Sequence, residues 1–159
     1  MANESKILWG TVTALSTLTN LNSLADGNWW QSGEINDASP SNQFMRIWWH
    51  IVFNATPVAG DRLWFKLARG DGHGTEIWDA DIGTSESEIS AAADVAEIDQ
   101  APMPEWSHWW ATSHSTTFKG SRTISIHGHS WQILVKTVGE ALAASGHAIH
   151  YQYGSNQLQ

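Results

Sequence analysis

Along most of the chain, apolar and polar residues alternate with a period of two, which is the signature of strands rather than helices. The alternation is clearest from Gln43 to Asn54. There Met45, Ile47, Trp49, Ile51 and Phe53 fall on one face, and Phe44, Arg46, Trp48, His50 and Val52 on the other. Both faces are largely apolar, so a central strand covered on both sides is expected. Arg62 to Ala68 alternates next, with Leu63, Phe65 and Leu67 opposite Arg62, Trp64 and Lys66. Pro57 and Gly60-Asp61 lie between these two segments, which are expected to form an antiparallel hairpin with a longer loop. Gly70-Asp71-Gly72 ends the second strand. Further strands are expected at Lys6–Leu15, Asn28–Ile35, Thr75–Trp78, Thr116–Lys119, Arg122–Ile126, Ser130–Val138 and His147–Tyr153. Only Ser87 to Ile98 has helical character. Its stripe of Ala91, Ala92, Ala93 and Ala96 is thin, and it reads as a loop carrying one helical turn. No repeat or Gly/Ser linker divides the chain. The expectation is one all-β domain over residues 1–159, an antiparallel β-sandwich of jelly-roll type.

Composition narrows the function. The 159 residues contain no cysteine, which excludes a disulfide scaffold, a thiolate zinc site and a cysteine nucleophile. Sixteen acidic residues against eight Lys and Arg give a net charge of −8, which argues against general affinity for nucleic acid or an anionic membrane. Met1 to Leu8 lacks the basic and apolar regions of a secretory signal. The longest apolar cluster, Phe44–Phe53, is interrupted by Arg46 and His50 and falls short of the roughly 20 residues that cross a bilayer. Synthesis in a cytoplasm is therefore expected. Ten of the acids, and no Lys or Arg, lie between Asp71 and Glu105. This window, 71–105, is read as a long solvated excursion; the rival readings are a contact arm for a basic neighbour and a calcium loop.

His127 and His129 share a face if extended, and His147 and His150 are three apart, yet neither pair has a third ligand nearby in sequence. Structural or surface histidine is the expected role, with no metal and no cofactor. Asp71, Glu76, Asp79 and Asp81 sit in a Gly-containing loop without the spacing of an EF-hand. No Gly-x-Ser-x-Gly elbow, phosphate-binding glycine loop or His-Glu-x-x-His motif occurs, so no catalytic residues are assigned and an enzyme is not expected.

Tryptophan is the unusual element. The chain has 11, including the pairs Trp29-Trp30, Trp48-Trp49 and Trp109-Trp110. Neighbours in a strand point to opposite faces, so each pair is expected to give one core ring and one outward ring. Trp9, Trp49, Trp64 and Trp131 are assigned to the core. Trp29, Trp30, Trp106, Trp109 and Trp110, in turn-rich and polar surroundings, are candidates for a subunit interface or a glycan-stacking surface.

Two stretches carry a resemblance. One is Gly10 to Asp37, GTVTALSTLTNLNSLADGNWWQSGEIND, with its Leu-Ala-Asp-Gly turn and the Gln31-Ser32 step. The other is Ser130 to Gln159, with its Trp-Gln-Ile-Leu-Val strand, Gly139 to His147, and Tyr151-Gln152-Tyr153. Together they resemble small virion proteins of tailed bacteriophages, of the capsid cement or decoration type. The resemblance implies a jelly-roll core, no active site, the major capsid protein as partner and a place on the outer capsid surface of the virion. It also implies a homo-oligomer, with a trimer suited to local three-fold positions; residues 1–8 read either as an extended arm or as a frayed terminus. Two other classes remain open: a carbohydrate-binding or tail-associated module using exposed tryptophans, and a metal-dependent β-barrel enzyme using His127, His129 and an acid.

Overall fold

A computed structural model describes residues 5–36, 42–70, 80, 82–126 and 130–158. Eleven strands and one helix run along these residues: β1 (Ser5–Trp9), β2 (Thr13–Ala14), β3 (Trp29–Gln31), β4 (Ile35–Asn36), β5 (Phe44–Val52), β6 (Arg62–Gly70), β7 (Ser87–Ile89), α1 (Ala92–Gln100), β8 (Glu105–Trp109), β9 (Thr117–Ser125), β10 (Ser130–Val138) and β11 (Ala148–Leu158). One sheet runs β1-β11-β5-β9, with β2 also on β11; the other runs β7-β3-β10-β6-β8, with β4 also on β10. All pairings are antiparallel.

Leaving aside the short β2, β4 and β7, eight strands remain. In chain order they lie first-eighth-third-sixth in one sheet and second-seventh-fourth-fifth in the other. That interleaved order is the winding of a jelly roll, as the alternation pattern led us to expect. The expected hairpin of β5 with β6 is not formed, because β5 sits between β11 and β9 while β6 sits between β10 and β8 in the facing sheet. Alternation specifies which face of a strand is buried, not which strand lies beside it. The buried faces of β5 and β6 meet across the core instead, with the Trp49 and Phe65 ring centroids 4.6 Å apart.

The inter-sheet core holds Met45, Ile47, Trp49, Ile51, Leu63, Phe65, Leu67, Trp131, Ile133, Val135 and Ile149, with Trp30 and Trp106. The two strands expected at 116–119 and 122–126 are one continuous β9. Gly120 does not break it but makes room for a core ring, since a Cβ there would lie 2.5 Å from Trp49 Cζ2. The register of β1 against β11 is offset by one residue from that of β2, so 10–12 form an irregular step along this edge. Residues 5–8 are therefore part of a sheet edge and not a free arm; Met1–Glu4 lie outside the described residues, as does the strand expected at Thr75–Trp78.

The acidic window departs most from expectation. Its described part is not a solvated excursion: β7 extends the second sheet, and α1 lies over that sheet's outer face as a third layer. Ile98, Met103, Ala80 and Ile82 cover Trp29, Ala68 and Leu134. The helix is nine residues rather than one turn and has no side-chain N-cap. What holds it is beneath it. Lys66, 1% exposed, donates from Nζ to the carbonyl oxygens of Ile98 (2.7 Å), Asp99 (3.0 Å) and Ala101 (3.1 Å). Those are the carbonyls a helix end leaves without intrahelical donors, and a cation there also suits the helix dipole.

Candidate functional site

The fold disposes of the five candidate tryptophans unequally. Trp29 and Trp30 are both 0% exposed, although they point to opposite faces of β3. Trp30 enters the inter-sheet core and donates from Nε1 to Glu86 Oε1 at 2.7 Å. Trp29 is the outward ring, but α1 roofs it, and its Nε1 donates to Asp99 Oδ1 at 2.8 Å. Trp106 stacks on Phe65 at 5.3 Å, and Trp110 packs edge-on against Phe53; they are 9% and 3% exposed. These four are corrected to structural residues, because the window folds over one face and the sandwich closes over the rest. Trp109 alone stays open at 60% exposure. It flanks Arg62, whose guanidinium carbon lies 4.4 Å from the Trp109 ring centre and 4.0 Å from that of Trp64.

Several of the described acids of the window are engaged. Glu86 accepts from the Asn20 backbone N–H (2.7 Å) and Nδ2 (2.6 Å) as well as from Trp30, and Glu88 accepts from Asn28 Nδ2 at 2.6 Å. Asp99 receives Lys136 Nζ at 2.9 and 2.8 Å. The Gln31-Ser32 step ties the same region down: Gln31 Nε2 donates to the Gly83 and Ser85 carbonyls, and Ser32 Oγ accepts from the Ile133 N–H. Much of the first resembling stretch is thus a bracket between β3, β10 and the window.

Asp71, Glu76, Asp79, Asp81, His127 and His129 lie outside the described residues, and with them the calcium-loop and His127/His129 readings. Among the described residues no group of three or more His, Cys, Asp or Glu is placed to hold a metal, and no helix is long and apolar enough to cross a membrane. His147 has a structural task, with Nδ1 accepting the Val52 N–H at 3.2 Å and Nε2 facing the Ala143 carbonyl at 2.9 Å. Burial holds its pKa below the usual histidine value, and nearby His50 acts in the same direction; the Ala143 carbonyl works against them. Burial, then the charge of His114, lowers His108 as well.

Among the described residues, no helix or strand covers the outer face of the β1-β11-β5-β9 sheet. Register places Ile7 and Trp9 of β1, Phe44, Arg46, Trp48 and His50 of β5, His150 and Gln152 of β11, and Lys119, Ser121 and Thr123 of β9 on this face. Expectation put both faces of β5 under cover, but here the second is only half-buried. Trp9, assigned to the core, lies instead on this face, where a Cβ at Gly154 would come 2.8 Å from its Cε3. Trp64 is likewise half-buried, on the outer face of the other sheet, whereas Trp49 and Trp131 are core as expected. Arg46 stacks with its guanidinium carbon 4.3 Å from the Trp9 ring centre and 5.7 Å from that of Trp48, and its Nε donates to Thr123 Oγ1 at 3.2 Å. The described residues on this face include no carboxylate. The alternation of residues 43–54 already grouped Phe44, Arg46, Trp48 and His50 together. What it lacked was any sign that this side stays open. Compared with known proteins, the chain matches no family model and no curated protein.

Proposed function

We propose that this is a structural protein of a tailed-bacteriophage virion, a cement or decoration protein that binds major capsid subunits on the outer capsid surface and braces them. The observation that carries this reading is the one-sided construction of a jelly roll. Among the described residues, the helix roofs one sheet and no element covers the other outer face, where Arg46 lies against Trp9 and Trp48. Ile7 on that face is 40% exposed, and Leu8 and Val12 along the same edge are more than half or half exposed. Accessible Trp and Arg side chains on one sheet face are the residue types that protein contacts use. The resemblance of residues 10–37 and 130–159 to such virion proteins supports the reading, and symmetric oligomers, trimers among them, would multiply each contact by avidity. The role is that of an interaction protein rather than an enzyme, with no cofactor and no direct engagement of nucleic acid or membrane.

The test is sedimentation with empty shells of the cognate major capsid protein, alongside the solution mass of the free protein. Stoichiometric pelleting is expected; a protein that stays in the supernatant at micromolar concentrations overturns the reading. A second reading, glycan binding, draws on the open ring of Trp109 beside Arg62. It requires that Trp109→Ala abolish binding to a glycan that the wild type retains.

A further inference from the structure

We infer that the outer face of the β1-β11-β5-β9 sheet docks a carboxylate-rich protein surface, with Arg46 as the anchoring group. This deepens the reading above by naming the face and the chemistry of the partner, and it rests on that reading only for the partner's identity. Charge is the first argument. In a chain of net charge −8, the described part of this face carries Arg46, Lys119, His50 and His150 and no acid. The exposed acids Asp94 and Glu97 lie on α1, over the opposite sheet. Among the described residues the cations of this face therefore have no acid beside them, and an acidic partner is steered to it.

Preorganisation is the second argument. Arg46 is held between two indole rings and by Thr123, which fixes Nε and restricts the rotamers of the guanidinium before any partner arrives. A planar fork fixed in this way suits paired bonds to a carboxylate, and little side-chain entropy remains to be lost on binding. Trp and Arg together are also the residue types that dominate the energetics of protein interfaces. A polyphosphate partner is disfavoured, since one Arg and one Lys on an acidic protein neutralise too few phosphates.

The experiment is an NMR titration of the full-length 15N-labelled protein with poly-L-glutamate at low salt. Polygalacturonate and a thymidine oligonucleotide serve as comparison probes. Poly-L-glutamate is expected to shift the indole resonances of Trp9 and Trp48 and leave that of Trp109 in place. Arg46→Glu/Lys119→Glu should weaken binding about tenfold or more, while Asp94→Asn on the opposite layer leaves it unchanged. Arg46→Gln, a milder change, serves if the double variant does not fold. No shift at Trp9 and Trp48, or tighter binding of either comparison probe, overturns the inference. Pelleting with shells separates the two claims. Shells that bind wild type and Arg46→Gln equally leave the virion role standing and reject this face; a shifted face in a protein that ignores shells does the reverse.

Discussion

On the outer face of one sheet, Lys66 lies beside Trp29 and Trp64 under a helix; on the outer face of the other, Arg46 lies beside Trp9 and Trp48 in the open. Each places a cation among indole rings, yet the surroundings differ. An ammonium can be buried only if acceptors come with it, and the segment from Ala80 to Met103 brings them: three main-chain carbonyls for Lys66 and the Asp99 carboxylate for Lys136. Among the described residues nothing comparable reaches Arg46, which donates to Thr123 and stays half-buried. The described part of the acidic window therefore turns one face into core, while the described residues leave the other face open.

Removing an indole from each side tests this contrast most strongly. Trp29→Ala takes a fully buried ring and the Asp99 hydrogen bond from under α1, and should cost about 3–5 kcal/mol. Trp48→Ala, on the open face, should cost about 1 kcal/mol. Urea unfolding midpoints with matched slopes check both. Equal losses would mean that the second face is as enclosed as the first.

Changing the cations should give a smaller difference of the same sign. Lys66→Met preserves the packing of the stem but takes the ammonium from three carbonyls at the end of α1, of which Ile98 and Ala101 keep a backbone N–H, and should cost about 2 kcal/mol. Its contact with Glu105 at 3.4 Å adds little, because that carboxylate is half exposed. Arg46→Met should cost about 0.5 kcal/mol, the worth of an exposed cation–π contact. Amide exchange across residues 92–100 should accelerate in the Lys66 variant and not in the Arg46 variant. Unchanged helix protection in Lys66→Met would show that apolar cover alone holds α1.

How far these faces could be read in advance depended on the kind of signal each left. The buried side of β5 was legible because Met45, Ile47, Trp49 and Ile51 repeat at the strand period, and the sandwich followed from many such segments. Sheet membership was not legible, since Pro57 and Gly60 mark a turn without saying whether the chain returns beside β5 or crosses the core. The helix was missed for a physical reason as well. Ala92 to Gln100 buries Ile98 alone and lacks an N-cap, so its own sequence offers little; its stability comes from Lys66, Asp99 and Lys136, which converge only in the fold. The same convergence misled the reading of Trp29. Alternation predicts one outward ring in the pair without saying which, and only the returning helix makes outward mean buried.

Acid provides the finest probe of the contrast, because His147 stands at the end of β5 in the open sheet, while the roof over the other sheet rests on Lys66, Lys136 and Asp99. With Nδ1 accepting from Val52 and Nε2 facing the Ala143 carbonyl, the ring is neutral, and a proton added at Nδ1 would oppose the Val52 N–H. Burial places the folded pKa below the ordinary 6.5, so the unfolded chain takes up protons first as the pH falls. The stability that His147 contributes is therefore complete above that value and is lost as the pH drops through the folded pKa. His108 acts in the same direction. Urea midpoints measured from about pH 8 to about pH 5 should fall with acid, and His147→Gln should flatten the slope. His108→Gln removes the second contribution and leaves that of His147. Exchange of the Val52 amide, corrected for its intrinsic pH dependence, should rise toward acid before that of residues 92–100. If the helix loosens first instead, the roof over Trp29, and not the open sheet, is the weaker side of the sandwich.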